Sequence, residues 1–348
     1  DADSALEQPI RTVTDKPQAP PSNDNHDYMS FGPYWWPDPT KKNGLPYIRR
    51  DGEQNPATQT RTSDGPRLRQ MSLHSCTLSL AWFFTGQERY ADRAALILRA
   101  WFLNPGTRMT PHLRFGQAVP GLAKGRGIGI IETLFFIRVV DTAILLERST
   151  CWTAAERDAL KAWFRAYLDW LLTSRNGKEE GRERNNHATW YDAQTACFAL
   201  FTDQPDIAEG VLRNAAEKRI ESQISADGRQ RYELERTRSL AYSQFNLSAM
   251  FSLARLGEHM GVDLWHHCKK AGENPLLRSA LDFLAPYADS QKEWSYAQIT
   301  ELKPALLLSL LRHGLSVYGD PEYAACIQKI PEEERNGDRS ALLYPVSE

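Results

Sequence analysis

Residues 153–173 read TAAERDALKAWFRAYLDWLLT. Apolar side chains return at helical spacing from Ala154 to Thr173, and Thr153 before Ala154–Glu156 is a helix-start signal. The same pattern continues on both sides. Upstream it gives candidate helices over 67–84, 89–103 and 128–147; downstream over 187–201, 207–223, 240–256, 274–286, 297–314 and 321–329. Gly257 after Leu256 marks a helix end. Loops rich in Gly and Pro fall at 104–109, 123–129, 176–181 and 226–228. No repeat is strict enough for a tetratricopeptide or HEAT array. Short and long connections alternate, which suggests helical hairpins. Wrapped into a ring, such hairpins make an all-α (α/α) toroid, an incomplete barrel whose helix ends surround a central groove.

The first 66 residues differ. They hold much of the chain's proline and show neither helical period nor sustained strand alternation. Within them Ser30–Pro39, SFGPYWWPDP, sets Tyr34, Trp35 and Trp36 side by side between prolines that keep the segment out of a helix. A disordered tail would not normally hold such a cluster. Residues 1–66 are therefore expected to form an ordered wrap or lid on a helical body, 67–348, in a single structural domain overall.

Composition narrows the function. The chain has 348 residues, 41% hydrophobic and 25% charged, with a formal net charge of −2. The near balance argues against nucleic-acid and membrane-surface partners, which usually select a basic excess. No apolar run approaches the roughly 18 residues of a membrane-spanning helix. Five scattered cysteines contain no C-x-x-C pair, and so give neither a disulfide framework nor a zinc pattern. Cys76, Cys197 and Cys326 read as small core residues. The aromatic inventory, 10 Trp, 13 Tyr and 13 Phe, is mostly core material. A sugar-binding groove draws on the same residues.

Two stretches can carry chemistry. In Arg184–Gln194, RNNHATWYDAQ, Asn185 or Asn186 can cap a helix, which puts His187 in its first turn. The positive end of the helix dipole there disfavours imidazolium and suits His187 to act as a base. His187, Tyr191, Gln194 and Phe198 share one helical stripe. In Asp227–Met250, DGRQRYELERTRSLAYSQFNLSAM, four arginines (Arg229, Arg231, Arg236 and Arg238) precede Tyr242. Ser239 reads as an N-cap, placing Tyr242 at the third helical position as a proton donor. Either stretch alone fits an ordinary capped helix or a basic loop. Together they suit β-elimination on a 4-linked uronate. That reaction needs donors to neutralise the uronate carboxylate, a base for the C5 proton and an acid for the departing O4. A metal is another way to neutralise the carboxylate, but no calcium-type carboxylate cage is present in the sequence. No cofactor or metal is expected.

RNNHATWYDAQ, LERTRSLAYSQFNL, and the early SFGPYWWPDP with GLPYIRRDGEQNP resemble the alginate-lyase superfamily of α/α-toroid polysaccharide lyases. The resemblance is strongest to polysaccharide lyase family 38, whose members act on alginate or glucuronan. It runs from about Tyr28 to about Leu256. It implies that Asn186 neutralises the carboxylate, that His187 is a base or carboxylate partner, and that Tyr242 is the acid or acid/base. It also implies that Arg236 is the catalytic arginine. Spacing alone favours Arg238, which is i,i+4 to Tyr242 on a continuous helix. Arg236 is preferred only if it lies in the loop before Ser239, and Arg238 is the fallback. Gln117 and the loop Gly125-Arg126-Gly127 fall where related lyases line the groove, although the loop also reads as a turn leading into a helix. The substrate-binding set expected is Tyr34, Trp35, Trp36, Gln117, Arg126, Tyr191 and Arg238. At least one of the tryptophans reads rather as a hydrophobic plug anchoring the wrap.

Other features carry structural readings. His74 is a core or supporting histidine. His266 and His267 are adjacent and would point apart on a helix, a poor chelate. The charge run at 331–339 is a solvated tail. A glycoside hydrolase on the same toroid would need two flanking carboxylates. Glu132, Asp192, Glu233 and Glu235 are available for that, but none is paired in a motif. A non-catalytic binder of uronate glycans is the other rival. The expected partner is an acidic polysaccharide or oligosaccharide, without nucleic acid or membrane insertion, in a periplasmic or secreted setting. Because Tyr242 is the best-supported proton carrier, substrates with C5–H and O4 on one face are favoured: poly-mannuronate first, glucuronan second.

Overall fold

The computed structural model describes residues 1–345. The chain is mostly helical and divides into two compact units, Asp1–Arg182 with Cys197–Ala208, and Glu183–Ala196 with the chain from Glu209 on. The helices in chain order are α1 Ala2–Glu7, α2 Gly65–Thr85, α3 Glu88–Leu98, α4 Phe136–Leu146, α5 Ala154–Thr173, α6 Arg175–Gly181 and α7 Asn186–Phe201. They continue with α8 Pro205–Ala215, α9 Arg231–Leu234, α10 Ser239–Glu258, α11 Leu276–Leu284, α12 Leu308–Tyr318, α13 Pro321–Gln328 and α14 Glu332–Gly337. Strand β1 (Met29–Phe31) pairs in parallel with β4 (Phe115–Ala118). Strand β2 (Trp35–Trp36) pairs antiparallel with β3 (Ile48–Arg49). Among the described residues no helix is long and apolar enough to cross a membrane.

In the first unit α5 begins where its sequence signal lies. The Thr153 hydroxyl accepts from the Glu156 amide and the Glu156 carboxylate accepts from the Thr153 amide, a reciprocal capping box. Its buried face carries Trp163, Phe164 and Tyr167. Phe102 meets Trp163 at 4.7 Å and Phe136 at 5.5 Å between ring centres, and Phe164 meets Phe198 at 5.1 Å. Each fully buried phenylalanine contributes about 1.5–3 kcal/mol of apolar transfer free energy. This cluster takes up six of the chain's aromatic residues.

The N-terminal 66 residues carry fully buried side chains, Val13 and Tyr28 among them. A buried charge cluster ties them to α2. Asp64, directly before the helix, accepts from Lys16 Nζ at 3.0 Å, Arg67 Nη1 at 2.9 Å and the Met29 amide at 2.9 Å. Burial lifts its carboxyl to about 6 against the opposing pull of Lys16.

Several elements differ from the sequence reading. Residues 176–181 were expected as loop, yet α6 runs through them. Ser174 Oγ accepts from the Gly177 amide at its start. Gly177 is required there, since a Cβ would lie 1.8 Å from the Leu171 carbonyl oxygen. The helix expected from 297 begins only at Pro304, as one 3₁₀ turn leading into α12. Residues 297–299 instead pair with the approach to α10: Ser239 N donates to Ala297 O and Ile299 N to Thr237 O. Lys303, before a proline, lies outside the helical region, with φ −122° and ψ 89°. The 128–147 helix opens with a 3₁₀ stretch, Gly127–Phe135, and the helices at 89–103 and 207–223 end in π turns. Trp265–Cys268 is not helical; His266 pairs with Asp263 and His267 with Glu221. The acidic run at 331–339 contains α14, and Arg312 donates to the Asp338 carboxylate and the Arg335 carbonyl.

Candidate active site

In the second unit the starts of α7 and α10 meet through α9. Asn185 caps α7, its Oδ1 accepting from the His187 amide at 3.0 Å. Asn186 is the first helical residue and His187 the second, in the first turn as expected. Burial deepens along the expected stripe, from half-buried His187 to Tyr191 at 9% exposure and fully buried Gln194 and Phe198. Trp190 packs against Phe245 of α10 at 5.2 Å.

Ser239 does not cap α10. It is the first helical residue, with Arg238 at the N-cap, so Tyr242 stands fourth in the helix rather than third. The Ser239 hydroxyl is engaged elsewhere, donating to Ala297 O at 2.6 Å and accepting from Trp294 Nε1 at 2.8 Å. The extended pairing of 297–299 thus takes over the role a cap would play. It also keeps Arg236 and Arg238 off the helix, which removes the i,i+4 argument for Arg238. Arg236 lies in the loop, and its guanidinium sits 3.8 Å from the centre of the Tyr242 ring. That is a close cation–π stack, and it joins two of the sequence candidates directly.

Glu233 of α9 holds the third. Its carboxylate accepts from the Asn186 backbone amide at 2.7 Å and from Asn186 Nδ2 at 2.8 Å. Both residues are buried, and burial pushes the Glu233 carboxyl above its usual range, opposed by the two Asn186 donors and then by Arg236 and His187 nearby. Beneath runs a network of buried amides. Gln223 Nε2 donates to Thr189 at 3.1 Å, Asn246 Nδ2 to Gln223 and to Gln230 at 2.9 Å each, and Gln230 Nε2 to the Ser243 carbonyl at 2.9 Å. Asp192 is committed to a buried pair with Arg219, 2.7 Å. The chemistry available here is a set of fixed donors, a histidine and a phenol on two helix starts.

Sequence reading missed Glu233, Gln223, Gln230 and Asn246. Glu233 was visible only as an unpaired acid, because its partner Asn186 is 47 residues away.

The first unit holds the remaining candidates. Arg126, at the N-cap of the 3₁₀ stretch, does form the expected turn. Its guanidinium also stacks on Trp35 at 5.4 Å, and donates to the Gln117 carbonyl at 2.9 Å and to Gln117 Oε1 at 3.3 Å. Gln117 has φ +46°, left-handed for a non-glycine, and its amide donates to Ser30 Oγ at 2.8 Å. Ser30 and Tyr28 in turn donate to Glu132, whose carboxyl burial raises. Gly32 leaves room for the stack, since a Cβ there would lie 2.5 Å from Trp35 and 2.7 Å from Arg126. Burial lowers the Arg126 guanidinium to about 10. Tyr34, Trp35 and Trp36 are half-buried; Trp36 Nε1 donates to the Glu53 carbonyl, and Arg50 covers its ring at 5.3 Å. His74 is a half-buried residue of α2, and burial lowers its pKa. Among the described residues no group of His, Cys, Asp or Glu could hold a metal ion.

The alginate lyase family matches residues 12–294, and the chain belongs to that family. It is a polysaccharide lyase. It is similar to a crystal structure of an alginate lyase from Bacteroides ovatus, with 38% identity and a TM-score of 0.93, covering 99% of this chain and 91% of that one. A histidine-to-alanine variant of alginate lyase A1-III in its apo form shares the fold at 14% identity and a TM-score of 0.57, covering 100% and 90%. Among curated proteins no sequence matches.

Proposed function

We propose that this lyase, as an (α/α) toroid of the kind the sequence suggests, cleaves 4-linked uronate polymers by β-elimination, with poly-mannuronate preferred and glucuronan second. The observation that carries the proposal is the Arg236 guanidinium stacked on Tyr242 beside the Asn186–Glu233 clamp. Asn186 and Arg236 meet the uronate carboxylate, onto which charge moves as the C5 proton leaves. The C5–H and C4–O4 bonds break and a C4=C5 double bond forms. In a syn substrate one group on the shared face can take the proton from C5 and deliver it to O4. Tyr242 performs both steps, beginning as phenolate or sharing its proton with His187. In guluronate the two groups lie on opposite faces, and His187 is then the separate base. Tyr34, Trp35, Trp36, Gln117, Arg126, Tyr191 and Arg238 bind substrate, with Trp35 and Arg126 offering an apolar face and a cation. A periplasmic or secreted location belongs to the same reading.

Three of the four acids that a hydrolase could use have other partners. Asp192 faces Arg219, Glu233 holds Asn186, and Glu132 accepts from Tyr28 and Ser30. The test is a panel of mannuronate blocks, guluronate blocks, glucuronan and pectate, read by the ultraviolet absorbance of the unsaturated product. Fastest cleavage of mannuronate blocks is expected. A protein that cuts only guluronate blocks or only pectate refutes the proposal.

A further inference from the structure

Asn186 has two side-chain N–H donors and one acceptor oxygen. One donor goes to Glu233 at 2.8 Å, and Oδ1 is buried with no hydrogen-bond partner. An amide left to itself would turn to satisfy its carbonyl, because an unpaired buried acceptor costs about 1–3 kcal/mol. What prevents the turn is the chemistry of the partner. A carboxylate only accepts, so it must face Nδ2. Its other oxygen accepts from the Asn186 backbone amide at 2.7 Å, which locks the carboxylate to the first turn of α7.

We propose that Glu233 is a positioning residue of the lyase: by holding Nδ2 of the fully buried Asn186 amide it fixes which way that amide faces, so that a donor rather than the carbonyl oxygen is what a uronate carboxylate meets when it enters the site. This rests on the reading of Asn186 as the group that neutralises that carboxylate. Glu233 itself does not touch substrate. It decides whether a donor or an acceptor stands where charge accumulates. An acceptor there would repel the carboxylate.

Glu233→Gln separates this role from a merely structural one. A glutamine of the same shape can accept from the Asn186 backbone amide through Oε1 and donate to Asn186 Oδ1 through Nε2. The number of hydrogen bonds is kept while the Asn186 amide is turned over. The variant should therefore melt near the wild-type temperature and keep its KM, while kcat on poly-mannuronate falls by about 10²–10³-fold, the usual loss for one preorganised donor. Glu233→Asp keeps an acceptor and should retain about tenfold more kcat than Glu233→Gln, within the typical size of positioning effects. In a double-mutant cycle, Glu233→Gln should cost nothing further once Asn186→Ala is present.

Losses that multiply in the double mutant overturn the proposal, as does an Asp variant no better than the Gln variant. An active Glu233→Gln beside an inactive Asn186→Ala overturns the role of Glu233 and leaves that of Asn186 standing. An active Asn186→Ala removes both. Should the Gln variant fail to fold, the cycle is run with Glu233→Asp, where additivity with Asn186→Ala is equally decisive.

Discussion

Tyr242→Phe isolates one hydroxyl. The ring at the start of α10 carries the Arg236 guanidinium at 3.8 Å, and a phenylalanine ring keeps that stack, worth about 0.5–2 kcal/mol depending on solvation. Arg236 should therefore stay in place, and with it the carboxylate contact that sets KM. The half-buried side chain keeps its packing. What disappears is the group that moves the proton. A positioned acid–base group contributes about 10²–10⁴-fold. At about 1.36 kcal/mol per decade, that adds roughly 3–5 kcal/mol to the barrier. The assay is initial rate on mannuronate blocks, followed by product absorbance, with circular dichroism and melting temperature as controls. Loss of kcat at unchanged KM and melting temperature is expected. A well-folded variant that keeps most of its kcat removes Tyr242 from the mechanism.

Arg236→Ala should raise KM as well as lower kcat, since an arginine meets the carboxylate in the ground state; greater damage from Arg238→Ala would show the wrong arginine was assigned. His187→Ala should reduce any guluronate activity more than mannuronate activity, and equal losses on block-pure polymers would contradict the division of labour between His187 and Tyr242. Asp64→Asn should destabilise by about 3–5 kcal/mol in denaturant unfolding, because it leaves Lys16 and Arg67 buried without their anion; a change under 1 kcal/mol, roughly that of a surface pair, would refute this. Burial lowers the His313 imidazole to about 4, its Nε2 has no partner, and it stacks on Tyr344 at 4.2 Å. The unfolded chain, with an ordinary value near 6.5, then binds more protons between those pH values. Stability is full above about 6.5 and falls with pH, by at most roughly 3 kcal/mol, levelling near 4. His313→Phe should flatten that slope in pH-dependent thermal melts.

What was legible in the sequence was local. Thr153 and Glu156 cap α5 with atoms three residues apart, and periodicity alone sets the buried face of that helix. Asn185 before His187 works the same way. The Asn–His, Arg and Tyr elements could be named because each sits within a short motif. Tertiary contact decided the rest. Ser239 has every local mark of a cap, yet its hydroxyl serves the 297 carbonyl and Trp294, because a strand-like pairing offered partners 58 and 55 residues away. That pairing also put Arg236 on the Tyr242 ring. Gly177 argues against a helix by propensity, but its lack of a Cβ is what allows α6 to approach Leu171. Glu233 had no signal at all in spacing. A buried carboxylate draws its meaning from the donors that surround it, and those came from a helix start 47 residues earlier in the chain. Capping and periodicity act within a turn or two and so are written in neighbouring residues. Burial and hydrogen-bond satisfaction act through space, and they exist only once the chain has folded.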